Sequence, residues 1–214
     1  MPVGTIESLD HAGQGIARDG GKTIFVEGAL PGERVGWLSY RRKPSFEQAR
    51  VTEVHRAAST RVTPRCPHFG VCGGCSLQHL DDKVQIREKE LQLIDLLQRI
   101  GHCQPLEVLK PLVAKRWNYR NKARLSVRYV QKKNATLVGF REKYNPRYIT
   151  DITHCPVLHE KIDTNILSIR RLLDGFVDKT SIAQIEVAAG DDEIALIFRH
   201  LNPLTAEDCQ SLQR

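Results

Sequence analysis

No long hydrophobic run and no signal-peptide-like start precede the cysteines of this sequence. That points away from a secreted or membrane-inserted chain and toward a reducing cytosol, where thiols persist mainly as ligands rather than as disulfides. A nucleotide-phosphate loop is also missing: Gly13-Gln14-Gly15 lacks the third glycine and no helix pattern follows, so it reads as a turn. Acidic residues are scarce in one region. Between positions 110 and 150 only Glu142 is acidic, against twelve lysines and arginines. The whole chain carries +7, so its basicity is local and the remainder is net negative. A concentrated cationic patch is what phosphate neutralisation requires, because each contact releases counterions.

What is present suffices for a sizeable core: 214 residues with 41% hydrophobic content fit one or two domains. Strands are predicted at Val3 to Leu9, Thr23 to Val26, Arg34 to Tyr40 and Gln48 to His55, with Gly13, Gly20-Gly21 and Pro31-Gly32 punctuating them. Short strands packed so densely along the chain predict a small OB-like β barrel, a fold that commonly binds nucleic acid on one face. Arg41-Arg42-Lys43 caps one hairpin beside Tyr40 and Phe46, setting cations next to rings able to stack on bases. The plain alternative is a solvated hairpin tip.

A polar connector over 57–65 leads into Cys66-Pro67-His68-Phe69-Gly70-Val71-Cys72-Gly73-Gly74-Cys75. Three thiols at C-x5-C-x2-C spacing, with glycines that let the backbone turn tightly, make a ligand loop rather than buried core. The best fourth ligand is Cys155, whose setting His154-Cys155-Pro156 resembles Cys66-Pro67. Four thiolates with proline beside the last favour a 4Fe–4S cluster, and the same set could close a tetrahedral zinc site. Cys103 and Cys209 show no ligand spacing and read as incidental.

After the loop, Asp82 to Ile100 reads as a helix with Ile86, Leu93, Leu97 and Ile100 as its packing stripe, capped by Asp81 or Asp82 and ended by Gly101. In Lys122 to Tyr129 the residues alternate. A strand there puts Lys122, Arg124 and Arg128 on one face and Ala123, Leu125, Val127 and Tyr129 on the other. It pairs as a hairpin with Leu137 to Arg141, and Arg147 to Ile152 is predicted to continue the sheet and deliver Cys155. A helix from about Leu158 to Leu173, strands near Ile182 to Ala188 and Glu193 to Phe198, and a helix from near Thr205 complete an α+β layer. The RNA-contact candidates are Arg116, Arg120, Lys122, Arg124, Arg128, Lys132 and Arg141, with Arg41, Arg42 and Lys43 on the hairpin.

The cysteine loop followed by Leu77-Gln78-His79, together with Trp117-Asn118-Tyr119-Arg120-Asn121-Lys122, Gly139-Phe140-Arg141 and His154-Cys155-Pro156-Val157-Leu158, closely resembles the bacterial 23S ribosomal RNA (uracil-C5)-methyltransferases of the RlmD (RumA) type. The resemblance implies a TRAM domain over 1–58, a cluster loop over 59–81 and a central α+β domain over 82–214. It also implies a 4Fe–4S cluster on Cys66, Cys72, Cys75 and Cys155. The reaction it implies is S-adenosylmethionine-dependent methylation of uracil C5, in which a cysteine thiolate adds to C6 and a base later removes the C5 proton, on a base flipped out of the RNA. The family performs those steps in a Rossmann-like domain. This chain has no glycine-rich cofactor loop after a strand, and Cys209 lacks the family's Ser-Cys-x-Pro setting. The expectation is therefore an OB-like barrel followed by an α+β iron–sulfur domain, with the Rossmann-like domain, the catalytic residues and the S-adenosylmethionine contacts absent and the chain inactive alone. A cytoplasmic monomer acting on 23S rRNA and not on a membrane is expected. The alternative is a non-enzymatic, metal-stapled RNA-binding module.

Overall fold

The computed structural model describes residues 1–213, which divide into two compact units. The first comprises Met1–Pro64 and Ser76–Val113; the second comprises Arg65–Cys75 and the chain from Ala114 onward. The partition differs from boundaries at 58 and 81. Leu77, Leu80 and Val84 pack with Leu9 and Leu30, which anchors the start of the first helix to the N-terminal strands. The cysteine loop instead hydrogen-bonds to residues 141–143 of the second unit.

The first unit holds six strands: β1 (Val3–Thr5), β2 (Ser8–Leu9), β3 (Gly15–Asp19), β4 (Lys22–Glu27), β5 (Arg34–Arg42) and β6 (Phe46–Arg56). Their order is β1-β5-β6-β4-β3-β2, with β4 and β6 parallel and every other pair antiparallel. The expected OB-like barrel is corrected here. The first strand breaks at Ile6-Glu7 into two short pieces, β1 pairing with β5 and β2 with β3, and these pieces stand at opposite ends of the strand order without a ladder between them. β3 is missed by sequence reasoning, because Gly-Ile-Ala-Arg-Asp has little strand character of its own and is ordered by its pairing with β4. Alternation buries Ile24 and Val26 of β4 with Ala17, Val35, Trp37 and Ala49.

Glu33 is fully buried beside this core. Arg61 meets it with Nε 2.5 Å from Oε1 and Nη2 2.7 Å from Oε2, while the Leu30 amide donates to Oε2 at 2.9 Å. Burial pushes the carboxyl up, but the Arg61 hydrogen bonds, the Leu30 and Ala58 amides and the Arg61 charge outweigh it and hold Glu33 below the ordinary carboxylate range.

Helix α1 (Asp82–Arg99) begins where Asp81 Oδ1 accepts the amides of Lys83 at 3.0 Å and Val84 at 3.3 Å. No residue of α1 is buried, and Leu93 and Ile100 of the expected packing stripe are exposed. The contacts run along another side, through Val84 and through Gln92, which donates to the Asp10 carbonyl at 3.0 Å.

The second unit is a four-stranded antiparallel sheet, in order β10-β9-β7-β8, with helices. Its strands are β7 (Lys122–Val130), β8 (Ala135–Gly139), β9 (Ile182–Ala189) and β10 (Ile194–His200), and a 3-10 turn over Gln131–Lys133 joins the first two. The expected strand at 147–152 does not form; a lone bridge ties Ile149 to Arg141. The expected helix from Leu158 is two, α2 (Glu160–Asp163) and α3 (Ile166–Asp174), interrupted at Thr164-Asn165, and α4 (Ala206–Gln213) follows β10. Leu125 and Val127 of β7 face Ile162, Ile166, Ile169 and Leu173 in one core, as the alternation predicts. Among the described residues, no helix is long and apolar enough to cross a membrane.

Candidate cysteine centre and cationic face

The cysteine loop is a chain of tight turns. The Phe69 amide donates to the Cys66 carbonyl at 3.1 Å, and the amides of Val71 and Cys72 donate to the His68 carbonyl at 3.2 and 2.9 Å. Gly70 takes a left-handed φ of +89°, which a side chain would strain. Gly73 then donates to the Arg141 carbonyl at 3.0 Å, an approach so close that a Cβ there would lie 2.9 Å from that oxygen. Lys143 returns a bond to Val71 at 2.8 Å, so the loop rides on the chain that follows β8.

The fourth cysteine arrives on a second laced segment. Asn118 donates through its amide to Pro156 at 2.9 Å and through Nδ2 to Leu158 at 2.9 Å, Arg120 donates to Val157 at 2.8 Å, and His159 answers to Arg120 at 3.0 Å. Asn118 itself is left-handed, with φ +56°. The Arg120 side chain reaches the other segment: Nη2 donates to the Gly74 carbonyl at 3.2 Å, and the guanidinium lies 5.9 Å from the Phe140 ring centre. The Trp117-to-Lys122 motif thus splices the Cys155 run to the cysteine loop, with Trp117 packed against the core beneath. Asp163 completes the frame by accepting the Cys155 amide on Oδ1 at 2.5 Å.

None of these four cysteines forms a disulfide; Cys155 is buried and Cys66, Cys72 and Cys75 are half-buried. Burial pushes the Cys66 and Cys72 thiols up and Cys155 up to about 11, and negative charge on Cys75 would push each further. Backbone amides work in the opposite direction: His68 and Phe69 toward Cys66, Gly74 toward Cys72, and Val157 and Leu158 toward Cys155, with Arg120 also favouring the Cys72 thiolate. Among the described residues, no group of three or more His, Cys, Asp or Glu side chains is drawn together closely enough to hold a metal ion. Where the donor set fits a thiolate-held group is in its chemistry: four unbridged thiols in one unit, amides aimed at three of the sulfurs, and one guanidinium beside them.

The cationic candidates separate into distinct settings. Lys122, Arg124 and Arg128 are exposed on β7, as the alternation predicts, and Arg116, Lys132 and Arg141 are exposed as well, whereas Arg120 is half-buried in the cysteine frame. Arg128 donates to the Arg147 carbonyl and Arg141 to the Pro146 carbonyl, each at 2.9 Å. Arg128, Arg141 and Arg147 line a recess of about 570 Å³ whose wall also includes Ser126, Tyr129 and Ile182. Among the described residues no carboxylate pairs with these three arginines. Arg147 is counted in the acid-poor stretch by the sequence but is not among the RNA-contact candidates drawn from it. Lys122 and Arg124 line a second recess with Glu186, which lies 3.9 Å from Arg124 and 2.7 Å from Arg199. In the first unit, Arg41, Arg42 and Lys43 are exposed at the β5–β6 turn. Phe46 is not free to stack there, because it packs edge-on against Phe25 with ring centres 6.0 Å apart.

The class comes first from the fold. The TRAM domain family matches residues 5–36. The structure of the Pyrococcus abyssi tRNA (uracil-54, C5)-methyltransferase, bound to S-adenosyl-L-homocysteine, superposes with a TM-score of 0.69 at 23% identity, covering 98% of this chain and 48% of that one. The described chain thus has the fold of one part of such a methyltransferase, and this corrects the fold expected from sequence. Neither a closed barrel nor the absence of a Rossmann-like domain is supported by the match.

The chain is homologous along nearly all its length to 23S rRNA (uracil-C5)-methyltransferases of the RlmD type, which bears out the resemblance. It is 55% identical over 203 residues to the 23S rRNA (uracil(1939)-C(5))-methyltransferase RlmD of Legionella pneumophila (strain Corby), covering 95% of this chain and 46% of that protein. It is 48% identical over 203 residues to the RlmD of Nitrosospira multiformis, with the same coverages. The chain therefore spans about half the length of the curated relatives it matches.

Proposed function

We propose that this chain supplies RNA-binding surfaces and a 4Fe–4S centre to the S-adenosylmethionine-dependent methylation of uracil C5 in 23S rRNA, a cytoplasmic task. The observation that carries the reading is the 55% identity to an RlmD enzyme over 95% of the chain. Support for the metal centre comes from the donor set. Cys66, Cys72, Cys75 and Cys155 lie in one unit on two segments that Arg120 joins, and amides directed at sulfur favour thiolates where burial disfavours them. Support for RNA comes from Lys122, Arg124, Arg128, Lys132 and Arg141, exposed in an acid-poor stretch, with Arg41, Arg42 and Lys43 as a second cationic point.

In this reading S-adenosylmethionine supplies the methyl group, and methyl transfer from a sulfonium moves no net electrons. A redox duty for the cluster is therefore not required, and its task is to staple the cysteine loop to the Cys155 run beneath the basic residues. The chain's own residues grip phosphate through guanidinium and ammonium groups and hold the loop through backbone hydrogen bonds.

Two measurements test this. Anaerobic purification with iron, sulfide and zinc analysis should give near-stoichiometric four iron and four sulfide with broad visible absorption, lost in Cys155→Ser. Zinc without sulfide, or iron indifferent to Cys155, would sink the cluster assignment. Binding to a 23S rRNA fragment carrying the target uridine should weaken with salt, with a slope of about −0.7 to −0.9 for each phosphate neutralised. Affinity independent of salt would remove the cationic face from the reading.

A further inference from the structure

Asp163 is buried, and both of its carboxylate oxygens are committed. Oδ1 accepts the Cys155 amide at 2.5 Å, and Oδ2 lies 2.6 Å from Nδ1 of His154. The residue closes the one-turn helix α2 and is fixed there by its own amide, which donates to the His159 carbonyl at 3.0 Å. His159 in turn is tied to Arg120. A carboxylate removed from water is costly unless it is hydrogen-bonded and paired. Here the partners are the backbone of one thiol-bearing residue and the side chain of the residue before it. Its charge also reaches Cys66, where it opposes the thiolate. That charge favours the protonated thiol at Cys66, so the contribution assigned to Asp163 is geometric.

We infer that Asp163 is the positioning residue for Cys155: it anchors the Cys155 backbone, aims that sulfur toward Cys66, Cys72 and Cys75, and thereby slows loss of the group the four thiolates hold. The inference rests on the proposed 4Fe–4S reading. It assigns to an acid outside the cysteine motifs a task that neither spacing nor charge count reveals. Arg120 reaches the loop through the Gly74 carbonyl, whereas Asp163 acts on the ligand-bearing residue itself.

The experiment compares the wild-type chain with Asp163→Leu and Asp163→Asn, all purified anaerobically. It follows iron and sulfide content, visible absorption, the rate of iron release to a chelator, and deuterium exchange of the peptide spanning 152–159. The leucine variant removes both acceptors while keeping the branching of the side chain, and asparagine is the variant of matched volume. It should release iron at least about tenfold faster, in the range that loss of a ligand-orienting partner produces, and its Cys155 amide should exchange faster. Asparagine keeps one oxygen for the Cys155 amide and should fall between leucine and wild type. That partial rescue, together with an altered visible spectrum in the leucine variant, separates positioning from general support of the fold. Should the leucine variant not fold, asparagine decides alone, since iron release and exchange at wild-type rates would overturn the inference. A wild-type chain without iron and sulfide would sink the cluster reading itself. A clustered wild type matched by both variants would sink only the role of Asp163.

Discussion

Arg120 sends its guanidinium to the Gly74 carbonyl and over the Phe140 ring, half-buried beside Cys72. Arg128, on β7, lies exposed at the rim of an open recess with Arg141 and Arg147 near it and no carboxylate paired to it among the described residues. Both arginines sit in the same acid-poor stretch, and composition treats them alike. In the cysteine frame the cation is spent on backbone and on neighbouring sulfur; on the sheet it remains available to a polyanion. Arg61 belongs with the first kind, its charge consumed by the buried Glu33. Charge density along a sequence therefore overstates a nucleic-acid face by whatever share of its cations the fold uses internally.

The largest effect should come from breaking a spent arginine. Arg61→Leu leaves Glu33 buried without its partner, and loss of one member of such a pair costs about 3–5 kcal/mol, read as a lower urea midpoint of the first unit. The pH dependence sharpens the assignment. With Arg61 present, Glu33 titrates below the ordinary carboxylate range. Its contribution is complete above that range and is lost as pH falls through the depressed folded value. The wild-type and leucine curves should converge toward acid pH and separate near neutrality. A constant gap across that window would detach the stability from Glu33.

Arg120→Gln tests the same contrast at the cysteine frame. It removes the bond to Gly74 and the cation beside Cys72, so iron release should accelerate by roughly 10-fold or more, while affinity for the rRNA fragment changes little at constant metal content. The converse pattern, intact metal and weakened RNA binding, would return Arg120 to the cationic face.

On that face, Arg128→Ala with Arg141→Ala should lower the salt slope of RNA binding by about one for each phosphate these side chains neutralise. The thermal midpoint should hardly move, because each substitution removes one exposed hydrogen bond worth about 1 kcal/mol at most. A collapse of stability without a change in slope would make these arginines structural.

Much of the architecture is legible in the residues. The alternation in Lys122 to Tyr129 assigns the buried and exposed faces correctly because β7 has helices on one side only. C-x5-C-x2-C marks the loop because glycine and cysteine at that spacing have few other uses. Less legible is everything decided by long-range pairing. β3 has weak local character, the break in the first strand depends on two different partners, and the interruption at Thr164-Asn165 splits a pattern that periodicity reads as one helix. The frame around the cysteines is hidden for the same reason. Arg120 acts on a backbone carbonyl far away in sequence and Asp163 on a backbone amide of the preceding turn, and a backbone partner has no signature in side-chain spacing.

The smallest expected effect comes from the one acid that intrudes on the sheet. Glu186 lies 2.7 Å from Arg199 and 3.9 Å from Arg124, and these cations hold its carboxyl below the ordinary range. It spends part of two exposed arginines, an intermediate between the buried pair at Arg61 and the open rim at Arg128. Glu186→Gln removes that competition without adding bulk. Affinity for the rRNA fragment should rise roughly twofold, the scale of an exposed ion pair, and the gain should vanish when Arg124→Ala and Arg199→Ala are made alongside it. A gain that survives their removal would come from net charge alone, and the local pairing would then have no part in setting how strongly this face attracts RNA.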